Sequence, residues 1–287
     1  MTLRTKLARF AIYLLVAGVI PLAAQTLPFM ETTDLQLQVT GKVKEITENR
    51  YRVVDNVRED QPWLFHVYSY GPSGSIAAIK THNDDGEFNT VFTLDAQGLQ
   101  IQSVDVNSAG ARDPKLVFTN DSKGRRLSAQ SVYSDGTVAD FTSYQYDAAG
   151  RLIQIAKSDS KNKAPYSVIL YRYDDKNKRM QEVDGKKSTD TAPVVMERIY
   201  DAKGKPLTDS DFWSGTLSQK TIYTYNALGQ LTLAVTTNTN DGESRTVSFS
   251  YDKTGNLTGA FLTIRYYAGT DRETVSKSEI VLTYQYY

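Results

Sequence analysis

The sequence predicts an all-β fold, a sequential antiparallel meander of about eight β-hairpin repeats rolled into a curved, spiral or barrel-like sheet. The first observation is the composition, because 19 Tyr and 10 Phe stand against 4 Met and 2 Trp, and flat rings suit a pleated, half-buried surface. The second observation is a recurring turn motif. The third is another series of turns that alternates with it. No helical period is found after residue 25.

The turn motif has the form Tyr-Asp-x-x-Gly, and its strongest copies begin at Tyr146, Tyr200 and Tyr251. Weaker copies occupy residues 70–74, 94–98, 120–124, 173–177 and 225–229. The closing residues follow one another at intervals of 24 to 27 positions and are Gly74, Gly98, Gly124, Gly150, Asn177, Gly204, Gly229 and Gly255. Such a steady period indicates an array of similar units.

Each copy of the motif is interpreted as the turn of a hairpin. An acid at its first corner can accept a backbone N–H two residues on, and Gly or Asn at the fourth position tolerates the left-handed conformation that closes a type I turn with a bulge. The corner acids are Asp95, Asp121, Asp147, Asp174, Asp201 and Asp252. A catalytic pair needs two particular carboxylates with different pKa values. Because every turn has the same acid in the same place, we predict structural caps.

Two further series follow the same period. Six residues before each closing position stand Tyr68, Phe92, Phe118, Tyr144, Tyr171, Arg198, Tyr223 and Phe249, which we expect to form a core ladder rather than a row of sugar-stacking rings. Aliphatic residues shortly after each turn, such as Ile76, Ile101, Leu127, Leu207 and Leu231, are expected to pack beside these rings.

Midway between the motif turns lies the second series of turn signals, which includes Asp135-Gly136, Ser214-Gly215 and Asp241-Gly242. Two alternating series predict one set of loops at each end of the strands. The Tyr-Asp end is regular, whereas the other end varies in length and charge. We call these the regular end and the variable end.

The first 24 residues predict a secretory signal peptide. Arg4, Lys6 and Arg9 precede an apolar run that ends at Ile20, followed by Pro21 and small residues. Residues 25–60 are predicted to be lead-in strands, and residues 61–287 the repeat domain. No later stretch is long and apolar enough to span a membrane as a helix. The expected location is the periplasm of a Gram-negative bacterium or the outside of the cell.

Composition excludes several classes of function. The chain has 33 basic and 33 acidic residues with their signs interspersed, which argues against nucleic-acid binding. The absence of Cys excludes disulfides and a Cys nucleophile, and with only two histidines, His66 and His82, a structural His-rich metal site is excluded as well. No catalytic residue, metal or cofactor is predicted.

These motifs resemble the YD-repeat, or Rhs, family, as in the stretch from Tyr146 through Asp147, Gly150 and Arg151 to Leu152. The resemblance covers residues 61–287. In large members it implies a spiralling β-sheet shell that encloses a toxin or forms part of a cell-surface receptor. Eight hairpins are few for such a shell, so only the hairpin architecture carries over.

The leading hypothesis for function is a non-enzymatic exported protein that binds another macromolecule, a protein or a glycan, as an envelope component or as an inhibitor of a secreted toxin. Specificity is expected in the loops of the variable end, residues 107–113, 158–165, 184–193 and 210–216, because recognition tends to reside in loops held by a rigid scaffold. Three residues outside the ladder are candidates for a binding patch: Trp63, Phe212 and Trp213. The alternatives are an outer-membrane β-barrel and an enzyme that acts on envelope glycans.

Overall fold

The computed structural model describes residues 25–28, 36–39, 41–83, 86–107, 110–111, 114–185 and 193–287. The predicted signal peptide lies outside these residues, as do most of the predicted loops 107–113 and 184–193. Every element that the structure describes is a β-strand, and no helix of the described residues could cross a membrane.

The strands are β1 (Gln25–Pro28), β2 (Gln36–Val39), β3 (Val43–Val54), β4 (Val57–Arg58), β5 (Leu64–Tyr70), β6 (Ile76–Asn83), β7 (Gly86–Leu94), β8 (Gln100–Asn107), β9 (Gly110–Ala111), β10 (Lys115–Asn120), β11 (Arg126–Val132), β12 (Val138–Tyr146), β13 (Leu152–Ser158), β14 (Ser167–Asp174), β15 (Arg179–Asp184), β16 (Val194–Tyr200), β17 (Pro206–Trp213), β18 (Thr216–Tyr225), β19 (Leu231–Asn238), β20 (Ser244–Tyr251), β21 (Leu257–Tyr266) and β22 (Thr274–Tyr286).

The chain divides into two compact units. Unit 1 comprises Met1–Thr47, His66–Tyr166 and Tyr284–Tyr287, and unit 2 comprises Glu48–Phe65 and Ser167–Thr283. In unit 1, strands β5 to β8 and β10 to β13 follow one another, with β8 beside β10 and with β9 as a short addition to β8. In unit 2, strands β14 to β22 follow one another, and β22 lies beside β3. The predicted all-β class and sequential antiparallel order are confirmed.

The aromatic ladder forms much of the core in both units. Seven of its eight positions are buried, and Phe92 is half-buried. The exception in residue type is Arg198, whose guanidinium donates to Asp209 through two N–H···O bonds of 2.6 Å. Tyr223, from the next repeat, donates its hydroxyl to the same carboxylate at 2.9 Å. The three polar groups satisfy one another where the other repeats place a ring, as buried polar groups must.

The prediction that aliphatic residues after the turns pack beside the rings is wrong for Ile101, Leu127 and Leu207, which are 37 to 40% exposed. In these hairpins a register shift pairs the motif tyrosine, or its substitute, with the residue just before the aliphatic one. Asn120, for example, pairs with Arg126 and not with Leu127. Because successive side chains of a strand point to opposite faces, a shift of one position moves each aliphatic side chain to the outer face. Gln100, Arg126 and Pro206 take the inward register instead.

The prediction that Asn177 closes its turn in the left-handed conformation is also wrong. The residue with positive φ is Lys178, at +50°. In this hairpin Asp174 pairs with Arg179, so the loop has four residues between the paired positions. Asn177 instead donates its backbone N–H and its Nδ2 to the two carboxylate oxygens of Asp174, at 3.1 and 2.7 Å.

This difference gives a test of the turn. Lys178→Gly should raise the free energy of unfolding by about 0.5 to 1 kcal/mol, because only glycine adopts positive φ without a Cβ penalty. Asn177→Gly should lower it, because the side-chain hydrogen bond to Asp174 is lost. Urea denaturation of the two variants measures both changes. The opposite signs would place the left-handed residue at Asn177 after all.

Candidate functional site

The Tyr-Asp turns are built from short hydrogen bonds within five residues, as the turn at Asp147 illustrates. The backbone N–H of Asp147 donates to the carbonyl of Arg151 at 2.9 Å, and that of Gly150 donates to the carbonyl of Asp147 at 2.9 Å. One carboxylate oxygen of Asp147 accepts the backbone N–H of Arg151 at 2.8 Å, and the other accepts its Nε at 2.7 Å. Gly150 has φ of +85°, a conformation that side chains with a Cβ rarely adopt.

The same geometry recurs along the regular end. The side chains of Asp95, Asp121, Asp201 and Asp252 each accept two backbone N–H groups of their own turn. Asn226 takes the same place in its turn and accepts the N–H of Gln230 at 3.0 Å. The closing glycines all have positive φ and are Gly74, Gly98, Gly124, Gly150, Gly204, Gly229 and Gly255.

Motif tyrosines connect each turn to the repeat before it. The hydroxyl of Tyr146 donates to the carbonyl of Arg126 at 2.9 Å, and the hydroxyls of Tyr225 and Tyr251 donate to Pro206 and Leu231, each at 2.8 Å. In each case the acceptor begins the outgoing strand of the preceding hairpin. The tyrosine is therefore a tie between repeats as well as an apolar ring.

The basic residue after a closing glycine contacts the repeat that follows. The guanidinium of Arg125 lies over the ring of Tyr146, 4.8 Å from its centroid, and Lys205 Nζ lies 5.3 Å from the centroid of Tyr225. Lys205 also donates to the carbonyl of Gly229. These contacts explain why a basic residue suits the position after the glycine, since a cation over an aromatic face is stabilised by the ring.

The turn geometry shifts the pKa of several groups. Hydrogen bonds from the side chain and the backbone of Arg151 lower the pKa of Asp147, and the backbone N–H of Lys205 does the same for Asp201. The hydroxyl of Thr254 lowers the pKa of Asp252. Burial raises the pKa of Tyr251 to about 12. The acids are thus held charged as acceptors and the tyrosine is held neutral as a donor, which are the forms that the turn uses.

The partners of two inward-facing arginines were not identified from the sequence. Arg198 stands out in the ladder only because it is not aromatic, and its partner Asp209 carries no motif. Arg126 is 8% exposed and lies over the ring of Phe118, 3.8 Å from the centroid, with its Nε donating to Asn120 at 2.9 Å. Burial lowers the pKa of Arg126 to about 10. Both arginines have a partner within their own hairpin, and Arg126 Nη2 also donates to the carbonyl of Gln100 in the preceding repeat at 3.5 Å.

The two histidines lie in different settings. His66 is buried, and its Nδ1 lies 2.9 Å from the hydroxyl of Thr81, whereas His82 is exposed. In the part of the chain that the structure describes, no three His, Asp or Glu side chains group as metal ligands would.

At the variable end of unit 2, Phe212 and Trp213 line a cleft of about 260 Å³. The tight turn at Ser214 and Gly215, both with positive φ, presents Trp213 with 78% of its surface exposed. Pro193, Val194 and Val195 add apolar surface to the cleft, and Asp184 lines it as well. The cleft exists because the last pair of the β16–β17 ladder joins Met196 and Asp211, so the two strand ends beyond it are free to separate.

Trp63 does not line this cleft. Its backbone N–H donates to the carbonyl of Arg50 at 3.0 Å. The guanidinium carbons of Arg50 and Arg52 lie 5.8 and 5.4 Å from the centroid of its ring, which is half-buried. The structure therefore brings together two of the three predicted patch residues, and Trp63 packs with arginines of β3.

The hydrogen bond from the motif tyrosine to the preceding repeat can be tested by removing the tyrosine hydroxyl. Tyr251→Phe should lower the free energy of unfolding by about 0.5 to 1.5 kcal/mol, the usual net contribution of a hydrogen bond, because the carbonyl of Leu231 loses its donor. Tyr266→Phe is the matched control, since Tyr266 is 40% exposed. Equal effects in chemical denaturation would show that the hydroxyl of Tyr251 does not stabilise the fold.

The lowered pKa values of the turn acids predict acid sensitivity. The folded state binds fewer protons than the unfolded chain just below the ordinary Asp pKa of about 3.9, so stability present above that pH is lost as the pH falls through the folded pKa values. A variant with Asp147, Asp201 and Asp252 all replaced by Asn should lose less thermal stability between about pH 5 and pH 2.5 than the wild type. An equal fall in melting temperature for the two proteins over this pH range would contradict the expectation.

The family comparison agrees with this architecture. The profile of the Teneurin YD-shell family matches residues 72–261, and no curated protein matches the sequence. Among solved structures, a porin-like protein from Bacteroides uniformis has 14% identity and a TM-score of 0.46, with 85% of this chain and 96% of that chain covered. A TcdB2-TccC3-TEV structure has 16% identity and a TM-score of 0.36 over 78% of this chain.

The chain spans only 13% of that TcdB2-TccC3-TEV chain. The family profile, in contrast, covers more than half of the sequence and includes the turns from Gly74 to Gly255. Together with the observed Asp-capped, glycine-closed hairpins, this match shows that the chain belongs to the Teneurin YD-shell family.

Proposed function

We propose that this chain is an exported, non-enzymatic YD-repeat protein that binds another macromolecule through the variable end of its hairpins, as an envelope component or as an inhibitor of a secreted toxin. The observation that carries the proposal is the cleft at Trp213. An exposed Trp beside an apolar cleft is the kind of anchor on which binding energy concentrates. A volume of about 260 Å³ suits one large side chain or one sugar ring of a partner.

The difference between the two ends supports this placement. At the regular end, carboxylates, closing glycines and motif tyrosines are used by the turns themselves. At the variable end the hairpins differ from one repeat to the next, and the turn at Ser214 and Gly215 consists of only two residues. A rigid scaffold with one varied end is the arrangement in which loops carry recognition.

The outer-membrane alternative is not favoured by the exposed face of unit 2. Three adjacent rows of side chains cross β18 to β22 on this face, and each row contains charge: Lys220 with Arg265, then Lys277, then Glu279. A charged residue facing lipid near the middle of a bilayer is costly. We therefore expect the exported protein to be released from the envelope by osmotic shock without detergent.

Trp213→Ala tests the proposed site. It should weaken capture of the partner from an envelope extract by more than about tenfold, the effect of removing a central hot-spot residue. Leu228→Ala is the matched control, because Leu228 is 84% exposed at the regular end and its loss should leave capture within about twofold. Equal binding by the Trp213 and Leu228 variants would rule out the cleft as the binding site.

A further inference from the structure

A groove opens at the regular end of unit 1 where two departures from the repeat coincide. Asn120 stands where the strong copies have tyrosine, Leu99 stands where Arg125 and Arg151 follow their glycines, and both residues line the groove. One ring and one basic side chain are therefore absent from neighbouring turns. The resulting groove has a volume of about 540 Å³.

The groove combines an apolar floor with polar walls. Leu99, Ile101 and Phe118 form the apolar part, and Ile101 is 37% exposed. Asp95 and Asn120 contribute polar groups from the two turns that border the groove. A site of this kind accommodates a ligand that is apolar along its length and polar at its tip.

Only one carboxylate oxygen of Asp95 accepts hydrogen bonds from its own turn. Its Oδ1 accepts the backbone N–H groups of Gln97 and Leu99, at 2.9 and 2.8 Å. In the next two turns the corresponding second oxygen is held by arginine, with Nε at 2.7 Å from Asp121 and from Asp147. Among the residues that the structure describes, Asp95 Oδ2 has no cation beside it, because Leu99 occupies the arginine position.

The other acid that lines the groove already has a partner. Asp121, on the opposite wall, is paired with Arg125 at 2.7 Å. Arg126 does not line the groove, and its Nε donates to Asn120 Oδ1 at 2.9 Å. Among the described residues that line the groove, Asp95 is therefore the acid without a cation beside it.

We propose that this groove binds an arginine or lysine side chain of a partner protein, which supplies the cation that Leu99 does not. The alkyl stem would lie on Leu99 and Ile101, and the charged head would donate to Asp95 Oδ2. A similar arrangement occurs within the chain at the next turn, where Arg125 pairs with Asp121 and stacks on Tyr146. An amino sugar offers a cation among hydroxyls and no alkyl stem, so the apolar floor favours a protein.

This is a second interaction surface, at the regular end of unit 1, and it shares no residue with the Trp213 cleft of unit 2. Its test uses Nα-acetyl-arginine amide and Nα-acetyl-lysine amide as probes, titrated into the mature protein while the backbone amide signals of Gln97 and Leu99 are followed by NMR. We expect saturable shifts of both signals in the wild type, weakened by added salt.

Two variants test the mechanism in different ways. Leu99→Arg provides the cation within the chain, and Asp95→Asn removes the charge but keeps the capping oxygen, as Asn226 does in its own turn. Each should weaken probe binding by at least fivefold. Asp201→Asn, in a turn whose acid already has Lys205 nearby, is the control and should leave binding unchanged.

Equal binding by all four proteins, or no saturable shift in the wild type, would overturn the proposal. Tighter binding of glucosamine than of either amino-acid probe would overturn the assignment to a protein partner. Asp95→Asn keeps the test valid if Leu99→Arg does not fold. Trp213→Ala should retain probe binding, so that failure at this groove and failure of the proposed function can be told apart.

Discussion

The hydrogen bonds from the backbone of each turn to a single carboxylate oxygen are the interactions on which the rest of this structure depends. When Asp147 accepts the N–H of Arg151, the turn is fixed at three residues, and Gly150 must adopt positive φ. That geometry sets the register of the hairpin, which in turn decides which side chains face the core. The tyrosine hydroxyl and the basic residue can then reach the neighbouring repeats, as Tyr146 and Lys205 do.

The sequence was sufficient for the parts of the fold that follow from local chemistry. Turn positions, the sequential antiparallel order and the buried ladder all follow from residue types at a steady period. The predictions were wrong where the structure has one extra residue in a strand or in a turn. The bulge beside each closing glycine moves Ile101 and Leu127 to the outer face, and the four-residue loop moves positive φ from Asn177 to Lys178. Alternation in sequence cannot show a bulge, because the bulge itself breaks the alternation.

The candidate sites were predictable to a smaller extent. Phe212 and Trp213 could be selected because they lie outside the ladder, but the cleft beside them depends on where the β16–β17 ladder stops. Trp63 could be selected on the same ground, yet it packs with Arg50 and Arg52, which no local pattern connects to it. The groove near Asp95 was missed because its signal is the absence of expected residues in two adjacent repeats. The buried Arg198 and Asp209 pair was missed because it depends on the register of the β16–β17 hairpin, in which the two residues stand opposite each other.

The close approach of Lys205 to Gly229 has a consequence for how such a chain can evolve. A Cβ on Gly229 would meet Lys205 Nζ, and a Cβ on Gly98 would meet the side chain of Ser73. A side chain at either glycine would be strained by the positive φ and would also require the residue in the preceding repeat to move. Substitutions at Gly98 and Ser73 should therefore be epistatic, and so should those at Gly229 and Lys205. The coupling should be stronger for Gly98, because the long side chain of Lys205 can swing away from Gly229.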